Sequence, residues 1–416
     1  MSRAAVVTGI GLVTPVGDDL AGVFEALCHG PSGLKQPPEE HPAAGALEVA
    51  GISPEIDPTS VLPATEARVV DRYIVMALRA ADIAIADAGL EVGRDVDPHR
   101  VACVVSGTGG LATLESQVVT RTKKGRLGVS PYLLPGMLPN MGTARIAIKY
   151  GLRGYSSSIG TACAAGAQSV AEGLRILRAD EADVVVCGCS EAPLFPTLAD
   201  TFGNARALAR GWADPTEASR PFDKRRNGLV LAEGAGVFVM ERAAFADARG
   251  AAGHADVVGW GMTTDAHHPT TPRPDGTGAA ECMRRALVDA GLDGADIGYL
   301  NAHGTSTKLG DAAEALAIRS VFGGSPPVSS NKAVTGHMLG ASGVVEAAAS
   351  IVALAKGILP PTHNLDDPDP SCDLDHIAKA PREASIRYAL SNSFGFGGHN
   401  VSLVLAAPST SNRRGY

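Results

Sequence analysis

Cys163 stands in the run Ser158-Ile159-Gly160-Thr161-Ala162-Cys163-Ala164-Ala165-Gly166, at the head of an Ala-rich stretch of helical character. A thiol at a helix start faces the positive end of the helix dipole, which lowers its pKa and makes it a nucleophile. Backbone N–H groups at the same point can face a developing oxyanion. His303 follows an apolar run in Leu300-Asn301-Ala302-His303-Gly304-Thr305-Ser306-Thr307. His337 closes Asn331-Lys332-Ala333-Val334-Thr335-Gly336-His337, ahead of a second Ala-rich stretch. A cysteine in an Ala-rich helix is, by itself, more often a small buried hydrophobe. Two imidazoles at equivalent junctions, each among glycine and hydroxyl residues, argue for more than filling. His267-His268 reads as a pocket edge, and the remaining histidines have no such setting.

The elements around these residues alternate. Strands are expected at Ala4–Ile10, Arg100–Ser106, Asp183–Gly188 and Gly236–Glu241. Helices are expected after the cap Asp18, at Arg72–Ala88 and at Thr161–Arg178. The second half repeats the order with strands at Asp256–Gly261, Ile297–Ala302 and Val401–Leu405 and helices at Thr277–Ala290 and Gly340–Leu354. Glycine turns are expected where Gly9-Ile10-Gly11 and Gly261 end their strands. Ser342-Gly343-Val344 lines up with Ala165-Gly166-Ala167, and Leu354 with Leu177, at a constant offset of 177. The order points to duplicated α/β halves, 1–250 with the cysteine and 251–416 with both histidines.

Composition sets the class. The chain has 416 residues, 45% of them apolar and 4% aromatic, with 49 glycines, so its core is built from small and aliphatic side chains. That suits layered α/β packing. A formal charge of −8 argues against a nucleic-acid wrapper. No uncharged apolar run reaches the roughly 18 residues of a membrane span, because Glu346 interrupts Val344–Ala355. The N-terminus lacks the features of a signal peptide. Seven scattered cysteines with no CxxC imply a reducing cytoplasm and no metal centre. The glycine runs match neither a Walker nor a dinucleotide fingerprint, which excludes nucleotide binding.

Cys163 in its Thr-Ala-Cys motif, Asn301–Thr305, Lys332–His337 and Ser-Asn-Ser-Phe-Gly-Phe-Gly-Gly at 391–398 resemble the condensing enzymes of the thiolase superfamily. They are similar in particular to elongating β-ketoacyl-acyl-carrier-protein synthases, and the likeness runs from Val6 to Leu405. It implies a five-layered αβαβα fold. It makes Cys163 the acylated nucleophile and has His303 and His337 serve decarboxylation of a malonyl thioester. The resemblance assigns an oxyanion site to the N–H groups of Cys163 and Phe396, with Phe396 as a gate. Lys332 and Glu314 look like a buried supporting pair that holds the loop of His337. Substrate contacts are implied for Thr108, Thr305, Thr307, Met137, Phe202 and Gly397.

No cofactor is expected, since loss of carbon dioxide drives the bond formation and the substrates ride on the phosphopantetheine of an acyl carrier protein. Arg68, Arg72 and Arg206 are candidates for docking that acidic partner. The stretch Leu138–Ile148 resembles a subunit interface, for a homodimer or a heterodimer with a cysteine-less chain-length partner. Nothing indicates a membrane or nucleic-acid partner. Thr108 stands where many relatives carry a larger apolar residue, and its hydroxyl hints at an unsaturated or oxygenated chain. Together with the Pro-, Glu- and Ala-rich stretch Lys35–Ser60, which has little resemblance to the family's usual segment, that tilts the expectation toward type II polyketide or polyene biosynthesis, with housekeeping fatty-acid elongation as the alternative.

Overall fold

The computed structural model describes residues 5–67, 70–409 and 412–415. Its main sheet has ten strands: β1 (Ala5–Val13), β2 (Val101–Ser106), β3 (Ser156–Ser157), β4 (Val184–Glu191), β5 (Gly234–Arg242), β6 (Ala255–Thr264), β7 (Ile297–Asn301), β8 (Val328–Ser329), β9 (Tyr388–Gly395) and β10 (His399–Ala406). The helices that position the site are α1 (Leu20–His29), α2 (Arg72–Ala88), α3 (Leu111–Lys124), α4 (Met141–Tyr150), α5 (Ala165–Arg178), α6 (Pro196–Asn204), α7 (Thr277–Ala290), α8 (Lys308–Phe322) and α9 (Ser342–Lys356).

The spatial order is β8-β7-β9-β10-β6-β1-β5-β4-β2-β3. Read outward from the centre, β1-β5-β4-β2-β3 and β6-β10-β9-β7-β8 are one pattern written twice, each strand matching the one five further along. The senses match too. In each half the first two pairings are antiparallel and the outer two parallel. The halves join through three antiparallel pairs between β1 and β6, Ala5↔Val257, Val6↔Asp256 and Val7↔Ala255.

Three apolar clusters give five layers. The innermost joins α5 and α9 to strands of both halves, through residues such as Val170, Leu174, Val344, Ile351, Phe238 and Leu403. A second packs α2 and α4 on the outer face of the first half-sheet. The third packs α7 and α8 on the outer face of the second. The duplicated αβαβα architecture expected from the sequence is therefore the one observed. The stretch Leu339–Lys356 has the length and composition to cross a membrane, but 83% of it is buried as the central helix.

Elements form at the expected bounds where periodicity is strong and shift where packing intervenes. The helices at Arg72–Ala88 and Thr277–Ala290 form with those bounds. The cap of α1 is Asp19, whose carboxylate accepts from Gly22 N–H at 2.7 Å, while Asp18 pairs with Arg79. Ala4 lies outside the described residues. Gly9, Gly11 and Gly261 are not turn residues; they lie inside β1 and β6. A Cβ on Gly11 would sit 1.9 Å from the Ala80 carbonyl oxygen, and one on Gly261 2.0 Å from that of Cys282. These glycines let α2 and α7 press onto their strands.

The two Ala-rich segments each begin with a 3-10 turn, Ala162–Ala164 before α5 and Leu339–Ala341 before α9. The offset between the turns is the same 177. Their first residues, Ala162 and Leu339, both take positive φ, 49° and 46°. Where the helices meet, a Cβ on Gly166 would lie 2.3 Å from Gly340 O, and one on Gly343 3.0 Å from Ala167 N. Gly166→Ala should therefore destabilise the chain by about 1–3 kcal/mol, as overpacking does. Gly160→Ala, with open space around its Cβ position, should unfold at the parent temperature. Equal thermal midpoints for the two variants would show that the crossing tolerates a side chain.

Candidate active site

Cys163 sits in the 3-10 turn that precedes α5, 8% exposed. The backbone N–H groups of Cys163 itself and of Phe396 both interact with its sulfur. Phe396 follows the last residue of β9, and that residue, Gly395, presses on the turn that carries Cys163. A Cβ there would stand 2.7 Å from Thr161 O and 3.1 Å from Cys163 N. The Phe396 ring stacks on Phe202 of α6, centroids 5.9 Å apart, and stays 40% exposed. It forms part of the wall of the cavity that holds Cys163.

The two imidazoles meet edge to face, with ring centroids 5.3 Å apart and planes at 82°. Phe394 flanks His303 at 5.9 Å. His303 is held by its backbone: its N–H donates to Glu314 Oε1 at 2.9 Å and Gly304 N–H to Oε2 at 2.8 Å. Asn392 adds a third donor to Glu314. His337 is fixed by a bridge to the segment around Leu231, donating to Val230 O and accepting from Ala232 N–H. Ser342 Oγ accepts from Met338 N–H at 2.9 Å and lies 3.2 Å from His337 Nδ1. With that oxygen already accepting, its hydroxyl hydrogen can go to Nδ1, which leaves the proton of the neutral ring on Nε2. Nδ1 of His303 is buried without a hydrogen-bond partner.

Burial sets the charges. It pushes the Cys163 thiol up to about 12, with the Glu191 carboxylate adding to the rise and Lys332 and the two N–H groups opposing it. The lowering expected from a helix start is overridden, because the thiol is out of water and beside a carboxylate. Both imidazoles are held well below their usual range, first by burial and then by the Lys332 ammonium. Neutral rings keep an N–H for donation at neutral pH.

Cys163, His303, His337, Phe202, Phe396, Thr305, Thr307, Glu314 and Arg206 share one cavity of about 570 Å³. Several expectations need correction. Lys332 is paired with Glu346, not Glu314; both partners are fully buried, and Glu314 holds His303 rather than the loop of His337. Glu346 was legible as a lone carboxylate in an apolar helix, since a buried charge needs a partner. Thr108 is exposed and absent from the cavity lining, its hydroxyl donated to Glu191 Oε2 at 2.6 Å. Met137 and Gly397 also lie outside the lining. Met137 gives its carbonyl to Gly110 N–H, and Gly397 N–H is spent on Pro269 O.

Arg72 is not a free docking cation. Its fork grips the buried Glu233 at 2.8 and 2.9 Å and reaches Glu55 at 3.1 Å. Arg68 lies outside the described residues. Arg206 is exposed at the cavity, where Lys308 adds positive charge that sequence reasoning missed, while Arg273 is paired with Asp275. The loop after His268 does form a cavity edge, through Thr270, Thr271 and Pro272. Among the described residues no cluster of His, Cys, Asp and Glu could hold a metal ion.

Residues 2–246 match the family "Beta-ketoacyl synthase, N-terminal domain" and residues 254–366 match "Beta-ketoacyl synthase, C-terminal domain". The chain is 40% identical over 406 residues to 3-oxoacyl-[acyl-carrier-protein] synthase 2 of Synechocystis sp., covering 97% of each. Among solved structures it resembles the ketosynthase/chain length factor for ishigamide, with a TM-score of 0.91, 32% identity and coverage of 98% and 100%. A type II PKS acyl-carrier protein in complex with its ketosynthase, bound to the hexaketide, matches with a TM-score of 0.90, 30% identity and coverage of 98% and 100%.

The two imidazoles carry a pH consequence. An unfolded histidine protonates near 6.5, whereas His303 and His337 resist protonation when folded. The unfolded state then binds more protons, so these groups cost nothing above about 6.5 and subtract stability as the pH falls below it. A His303→Asn/His337→Asn variant should lose stability less steeply than the parent between about pH 6.5 and 5, read from urea midpoints. Parallel curves would mean that the rings are not buried as neutral groups.

Proposed function

The chain belongs to the beta-ketoacyl synthase family, and from that premise we propose that it elongates saturated fatty-acyl chains, with Cys163 as nucleophile and malonyl carrier protein as extender. The enzyme class is that of the 3-oxoacyl-acyl-carrier-protein synthases, condensing enzymes that perform a Claisen condensation. The observation that carries the residue roles is the convergence, in one cavity, of a thiol facing two N–H groups and a pair of neutral imidazoles.

The chemistry follows from those groups. Cys163 sulfur attacks the carrier thioester, a new C–S bond forms, the old one breaks, and the thiol proton ends on the departing pantetheine sulfur. The oxyanion of that step sits between the N–H groups of Cys163 and Phe396. Malonyl carrier protein then loses carbon dioxide, and the enolate oxygen is stabilised by N–H donation from His303 and His337. The enolate carbon attacks the acyl-cysteine, and the thiolate is expelled and reprotonated. Burial keeps the rings neutral, Lys332, tied to Glu346, adds to that effect, and Glu314 positions His303. Thr305 and Thr307, whose hydroxyls lie 3.0 Å apart in the cavity, suit the polar part of a pantetheine arm.

The polyketide or polyene reading loses its main support. Thr108 favoured it as a polar wall, but its hydroxyl is committed to Glu191. The fatty-acid relative is 40% identical, against 30% and 32% for the polyketide-type structures. Pairing is proposed through the face where Leu111, Val118, Leu127, Tyr132, Leu134 and Ile148 are exposed beside the sheet edge β3. It extends the expected Leu138–Ile148 interface into α3. An identical mate fits the fatty-acid reading; a chain-length partner fits the other. The halves are drawn at 1–250 and 251–416, docking of the carrier is assigned to Arg206, and the cytoplasm is the proposed location.

One experiment tests this reading. The chain expressed alone should run as a dimer, and intact mass after mixing with saturated acyl carrier protein should show one acyl group per chain, lost in Cys163→Ala. With malonyl carrier protein added, saturated chains should be extended at least as well as polyunsaturated chains of matched length. An adduct surviving in Cys163→Ala would remove the nucleophile. Extension of polyunsaturated chains only, and only with a second protein, would restore the polyketide reading.

A further inference from the structure

Glu191 ends β4 with its carboxylate buried, and nothing in the condensation uses it. Oε2 accepts from Thr108 N–H at 3.2 Å and from Thr108 Oγ1 at 2.6 Å. The backbone N–H of Gly340 is a further donor, and Cys189 Sγ lies 3.9 Å from Oε1. The offset that superposes the turn Ala162–Ala164 on Leu339–Ala341 superposes Cys163 on Gly340. The N–H of Gly340 is thus the counterpart, in the second half, of the Cys163 N–H that faces the nucleophile's sulfur. In the first half that position is left for a substrate oxygen. Its duplicate is filled by the Glu191 carboxylate.

We propose that Glu191 is a positioning residue for Cys163: it plugs the duplicate oxyanion position, clamps the Thr108 turn to the start of α9, and sets a negative charge against the sulfur. The inference rests on Cys163 as the nucleophile. The carboxyl group is pushed up to about 7 by burial and held from rising further by its bonds to Thr108 and Gly340, so its charge changes in the working range. It faces Cys189 on its own strand, Cys163 before α5 and Tyr73 on α2. Lys332 acts on Cys163 with the opposite sign, and Glu346, paired with it, is also raised to about 7. When ionised, Glu191 opposes thiolate formation; when protonated, it does not.

The test is the pH profile of Cys163 alkylation by iodoacetamide in the full chain, read by peptide mass. The logarithm of the rate should rise with pH, flatten near 7 as Glu191 ionises, and then rise again. Glu191→Gln should abolish the flattening and alkylate about three- to tenfold faster above it, because no carboxylate then opposes the thiolate. Thr108→Val removes a bond that favours the ionised carboxyl and should move the flattening to higher pH. It decides the matter should Glu191→Gln not fold, and it separates Glu191 from Glu346. Profiles of both variants that superpose on the parent would overturn the role of Glu191 and leave Cys163 untouched. An unreactive Cys163 in the parent would overturn the nucleophile and this inference together.

Discussion

The crossing of α5 and α9 is the constraint from which the site follows. Two buried helices approach until only Gly166 and Gly343 can occupy the contact, and each helix is preceded by a 3-10 turn that starts from a left-handed residue. The strained turns place backbone N–H groups where no helix bond consumes them, at the ends of β4 and β9. Duplication makes two such places. Sequence differences then make them unequal: one carries Cys163 beside Gly395 and an open cavity, and the other carries Gly340 beside Glu191.

Low dielectric governs the chemistry placed there. The thiol and both imidazoles are neutral first through burial, with the Lys332 ammonium adding to it at the rings and the Glu191 carboxylate at the thiol. A neutral thiol is a weak nucleophile at rest, so in the proposed mechanism acyl transfer depends on a carbonyl polarised by the paired N–H groups. In the proposed mechanism the rings act as hydrogen-bond donors rather than as cations. In a site sheltered from water, such fixed donors stabilise a developing oxyanion far more than they would in bulk solvent. The Lys332–Glu346 pair supplies the positive field without leaving an uncompensated buried charge.

Much of this was legible in the letters. The offset of 177, the alternation of strands and Ala-rich helices, and the four motif segments lead to the layered fold and to Cys163, His303 and His337, which the structure brings together. What was not legible depends on distances between remote segments. The partner of Lys332 is fourteen residues away on α9, while Glu314, which the motif pairing suggested, turns to the backbone of His303. Arg72 reads as a surface cation until Glu233 closes on it. Gly9 and Gly11 read as a turn, because the sequence does not say that a helix lies on the strand. Thr108 misled for the same reason, since a hydroxyl's meaning depends on whether it has found an acceptor.

The central claim is that two neutral imidazoles stabilise an enolate independently of the thiol. It is tested most directly by carbon dioxide release from malonyl carrier protein in a Cys163→Gln background, whose side chain stands in for an acylated thiol. Adding His303→Ala or His337→Ala should lower that release by about 10²–10³-fold for each lost oxyanion donor, while the same histidine changes in the Cys163 chain leave acylation measurable. Release at the Cys163→Gln rate in both histidine variants would contradict the account.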